Sequence, residues 1–66
     1  MNAQDVAEAR KALTELADKL ARQSGTYMVC DVVRAVRYAR ASAQAQTVAQ
    51  TMYSLEATME SIDRDA

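Results

Sequence analysis

The sequence predicts an all-α protein: a helical hairpin of one short and one long helix, assembled as an intertwined or four-helix-type homodimer. Three observations predict it. The chain of 66 residues has no proline and one glycine, Gly25. Alanine, glutamine, glutamate, leucine, methionine and arginine are abundant, and all are strong helix formers. Apolar residues recur at three-four spacing on both sides of "RQSGT", the pattern of amphipathic helices. The dimer follows from size. A chain this short buries little surface alone and usually needs a disulfide, a metal or a second subunit. Cys30 is the only cysteine and histidine is absent, which excludes a disulfide core and a Cys/His metal site.

The chain reads as a single helical domain, 1–66. The first helix is expected over 3–23. Asn2 is a good N-cap, and Asp5 stands where a capping box places its partner, although Asp is not the preferred residue there. Val6, Ala9, Leu13, Leu16 and Leu20 form its apolar stripe. Glu15 and Lys19 make a favourable i,i+4 pair. The turn is expected at 24–26, with Gly25 in a left-handed C′ conformation and Thr26 as the next N-cap.

The long helix is expected over 27–62. Its first half carries a stripe of Val29, Val32, Val36, Ala39 and Ala43, with Met28 and Val33 beside it. Its second half carries Ala45, Val48, Met52, Leu55, Met59 and Ile62. At about 100° per residue, the second stripe lies roughly 150° around the wheel from the first. One explanation is a break near 42–46. The favoured one is a continuous helix of about 54 Å that uses two faces, because alanine and glutamine do not break helices. The first helix then packs on the valine stripe. The second stripe, Val48, Met52, Leu55, Met59 and Ile62, makes the dimer interface. The end at "DRDA" is expected to fray.

Net charge is −1, but it is unevenly placed. Residues 1–26 are balanced. Residues 27–55 hold Asp31 against Arg34, Arg37 and Arg40. Residues 56–66 hold Glu56, Glu60, Asp63 and Asp65 against Arg64. The candidate partner-binding residues are Arg34, Arg37, Tyr38 and Arg40, since arginine and tyrosine are enriched in binding hot spots. Tyr38 lies one turn beyond Arg34 and can stack on its guanidinium. The competing reading is a solvated face that pairs with acidic residues of its own dimer. Met28, Met52 and Met59 read as core, and Cys30 as a partly buried thiol.

These features exclude most chemistry. No Gly-rich phosphate loop occurs, the carboxylates sit at surface or tail positions, and a short hairpin offers no deep pocket. The expectation is a protein that is not an enzyme and takes no cofactor. The N-terminus lacks an apolar h-region, no apolar run can span a bilayer, and a lone thiol suits a reducing compartment. A cytoplasmic protein without membrane contact is expected.

Ala21 and Gly25 have the A-x3-G spacing of a DNA-reading helix-turn-helix and resemble it to that extent. The base-facing positions hold Met28, Val29, Val32 and Val33, which cannot read base edges by hydrogen bonding. In size and layout the chain resembles the small helical inhibitors and anti-activators that bacteriophages make against host transcription or defence proteins. That resemblance, one of architecture, implies a dimer that binds a larger protein and inhibits or sequesters it. It is similar in layout, too, to small hairpin dimers that bind plasmid RNA. Nucleic-acid binding through the arginine strip is the first alternative, and a structural coiled-coil assembly element is the second.

Overall fold

A computed structural model describes residues 2–65. They form two helices, α1 (Ala3–Tyr27) and α2 (Val32–Asp65), folded into an antiparallel hairpin with Cα extents of 54 × 13 × 12 Å. The capping box is present. Asp5 N donates to Asn2 Oδ1 at 3.1 Å, and Asn2 N donates to Asp5 Oδ2 at 3.0 Å. Two donors that helix geometry leaves unpaired are thereby satisfied.

The turn differs from the expected 24–26. It lies at 28–31, and α1 runs on through Gly25 to Tyr27. No described residue has positive φ, so Gly25 is not a left-handed cap. Thr26 does not cap either: its hydroxyl donates back to the Arg22 carbonyl at 3.1 Å, inside the helix. Asp31 takes the capping role, accepting from Arg34 N at 3.1 Å on Oδ1. The physical reason is packing. The hydroxyl of buried Ser24 donates to the Ala35 carbonyl at 2.7 Å. Tyr27 stacks on Tyr38, with ring centroids 5.8 Å apart and planes at 4°. Ending α1 before Ser24 would forfeit both contacts.

α2 is continuous through 42–46 and ends at Asp65, beyond the expected 62. The helices meet along a heptad seam. On α1 it comprises Val6, Arg10, Leu13, Ala17, Leu20, Ser24 and Tyr27, and on α2 Ala35, Tyr38, Ser42, Ala45, Ala49, Met52, Glu56 and Met59, all buried or half-buried. Spacings of three and four repeat throughout, as in a coiled coil. Most of the fully buried positions are small: Ala17, Ser24, Ala35, Ser42, Ala45 and Ala49. The expected packing of α1 on the valine stripe is therefore overturned. Val29, Val32, Val36, Ala39 and Ala43 are exposed. Alanine and serine let two backbones approach closely, whereas a valine face would hold them apart.

Polar bonds set the axial register. The Ser42 hydroxyl donates to the Ala17 carbonyl at 2.8 Å, mirroring the bond from Ser24. Toward the open end, Arg10 Nε donates to Glu56 Oε2 at 2.9 Å, with its guanidinium 4.1 Å from the Tyr53 ring centre. Ala3 N donates to Asp63 Oδ2 at 3.4 Å. A stripe of alanines would slide with little penalty; two buried hydroxyls that need acceptors resist such slippage. No helix among the described residues is long and apolar enough to cross a membrane.

Candidate functional site

Two surfaces follow from this packing, because a seam of small residues leaves the large ones outside. The first is the turn end. There Arg34 sits 3.6 Å from Asp31 Oδ2 through Nε, and its guanidinium carbon lies 5.1 Å from the Tyr27 ring centre. The neighbouring Tyr27 and the Asp31 carboxylate raise the pKa of Arg34 above the ordinary arginine value. It is a fixed positive charge. The expected stack of Tyr38 on Arg34 is replaced: Tyr38 stacks on Tyr27, and it is Tyr27 that carries Arg34.

An open notch is lined by Leu20, Arg34, Arg37, Tyr38 and Ala41. The structure thus brings three of the four candidate binding residues together and leaves Arg40 outside. Arg37 and Arg40 follow the outward surface of α2. That surface also bears Val32, Val33 and Val36, and Val29 of the adjoining turn is 97% exposed. Met28 and Cys30 of the turn are exposed too, so Cys30 is not the partly buried thiol expected.

The second surface is one long edge of the hairpin. Arg34, Ala41, Val48, Leu55 and Ile62 recur every seven residues. They form a line one position before the seam line of Ala35, Ser42, Ala49 and Glu56. The notch shows which side of α1 this line overlooks, since it joins Arg34 and Ala41 to Leu20. Leu13 and Leu16 lie on that same side of α1, seven and four residues earlier. The five residues expected at a dimer interface therefore divide. Met52 and Met59 are half-buried in the seam, while Val48, Leu55 and Ile62 stand open on the edge, as does Leu16.

No family model matches the chain, and no curated protein or solved structure matches it. The site's chemistry must therefore be read from its own residues.

The opposite edge is different in kind. A shallow depression there is lined by Ala3, Gln4, Ala7, Glu8, Arg10, Lys11, Glu56 and Glu60. Its central charges already pair, Arg10 with Glu56. The hydrogen bond to Glu56 is the largest influence raising the pKa of Arg10. Sequence reasoning passed over Leu20, Ala41 and the outward valines as parts of a surface. The signal for the edge was present as the seven-residue repeat from Arg34 to Ile62. The signal for the valines was not, because a three-four stripe marks a buried face and an open one alike.

Proposed function

We propose that this protein is a non-enzymatic, homodimeric helical module that binds another protein and inhibits or sequesters it, as the resemblance to small phage inhibitors implies. The observation that carries this reading is the outward face of the first turns of α2. Val32, Val33 and Val36 stand open there, between 46% and 64% exposed, beside Arg37 and Arg40. Exposed apolar patches edged by polar groups mark interaction sites, and arginine is a frequent hot-spot residue. Tyr38 and Arg34, held against Tyr27, stiffen the helix start that presents the face. A rigid helix loses little entropy on docking, so a small surface can bind tightly. The partner's complementary surface is an apolar groove with acidic residues on its rim.

The test is capture from lysate after nuclease treatment, followed by direct titration of the captured protein. Wild type is compared with Val33→Asp and with Arg37→Glu/Arg40→Glu. The reading expects one stoichiometric protein, bound at least tenfold more weakly by either variant while helicity is unchanged. Nucleic acid recovered alone, with binding that weakens steeply with salt, replaces this reading with the first alternative. Equal binding by both variants removes the outward face of α2 as the site.

A further inference from the structure

We infer that the long apolar edge is a self-complementary interface on which two copies pair antiparallel, the basic turn end of each lying on the acidic open end of the other. This rests on the homodimer of the proposed function and adds its orientation and the share that α1 contributes. The strip runs from Leu20 and Ala41, past Leu16 and Val48, to Leu55 and Ile62. Leu16, Val48, Leu55 and Ile62 are 44% to 54% exposed. Met52 shows one half-buried side. From Ala41 to Ile62 the strip is about 30 Å long, and two helices make it about 20 Å wide. One copy would bury roughly 600 Å², near a tenth of its surface, which is the lower range for a specific interface. The chain surface is 4983 Å².

The charges beside the strip choose the occupant. Bordering it on α1 are Asp5, Ala12 and Lys19, at seven-residue spacing. Bordering it on α2 are Arg37, Gln44, Thr51, Thr58 and Asp65, also at seven. Arg34 closes the strip at the turn end. The order is basic at the turn end, uncharged along the middle, and acidic at the open end. A second copy laid antiparallel meets this pattern with its complement. Laid parallel, it sets arginine and lysine against arginine and lysine, and aspartate against aspartate. The need for a partner is also visible inside the monomer, where Val6 is the one large side chain fully buried among the described residues. Burial of the strip supplies the core that the small-residue seam lacks.

Cys30 gives a direct test, being exposed at the turn and away from the strip. Spin labels on the native thiols of the full chain report the distance between the two turns by dipolar spectroscopy, and sedimentation gives the mass. Antiparallel pairing about Val48 to Met52 places the labels beyond about 50 Å. A parallel dimer places them within roughly 25 Å. A dimer with the long distance that Lys19→Glu/Arg34→Glu weakens about tenfold at low salt, and much less at high salt, bears the inference out. A dimer with the short distance overturns the orientation and leaves the homodimer standing. A helical monomer at tens of micromolar overturns both. Val48→Asp/Leu55→Asp locates the interface: a dimer that survives it uses another surface, and the inference fails.

Discussion

The seam between the helices and the apolar edge beside it come from the same two helices and sort side chains by opposite rules. In the seam the fully buried residues are mostly alanine and serine, and the larger ones, Leu13, Leu20, Met52 and Met59, are only half-covered. On the edge the residues are leucine, valine and isoleucine, and they are open. The difference is one of distance. Ala17, Ser42 and Ala45 let the backbones come close enough for a serine hydroxyl to reach the opposite carbonyl. At that separation no room remains between the helices for a row of leucines, so those side chains overhang to one side. A seam chosen for closeness creates a neighbouring surface chosen for stickiness.

The largest expected effect that would break this contrast is on the edge. Leu55→Asp should weaken dimerisation about a hundredfold or more. Two copies of the side chain are lost per dimer, each contributing about 1.5 kcal/mol when buried. Sedimentation measures it, and circular dichroism at low concentration should still show helix. Next comes the seam. Ala35→Leu should destabilise the fold by about 1–3 kcal/mol through overpacking, whereas the same change at Ala9, exposed beside the edge, should leave the thermal midpoint unchanged or higher. Equal shifts for the two would erase the distinction drawn between the regions. A smaller effect is expected of Ser42→Ala. It removes one buried hydroxyl bond and should lower stability by about 1 kcal/mol, seen as a lower urea midpoint. The smallest is a gain. Gly25→Ala should stabilise by up to about 1 kcal/mol, since Gly25 is helical and a Cβ there meets nothing within 4 Å. A loss instead would mean a left-handed Gly25 and a turn where the sequence first suggests it.

Much of the architecture is legible in the sequence alone. The helical class, the capping box at Asn2 and Asp5, and the unbroken run of α2 through the alanine-glutamine stretch all rest on local propensity, which residues carry with them. The place of the turn was not legible, because two local signals competed. "SGT" offers a glycine and a threonine cap, and Asp31 offers an N-cap four residues after Tyr27. What decides between them is the Ser24 bond to Ala35 and the Tyr27–Tyr38 stack, contacts between residues eleven apart. The candidate binding set was legible as a list and not as a geometry. Arg34, Arg37 and Tyr38 share a notch, and Arg40 points elsewhere, because three-residue steps carry side chains around the helix.

By itself the sequence determined that this chain makes two helices, where the first begins, and that more apolar residues exist than one short hairpin can cover. Propensity and composition are enough for that. Only the tertiary structure decided which face of each helix is inside. Hydropathy ranks valine and leucine above alanine and serine as core residues. Two helices in close contact rank them by size instead, and the closest approach goes to the smallest side chains.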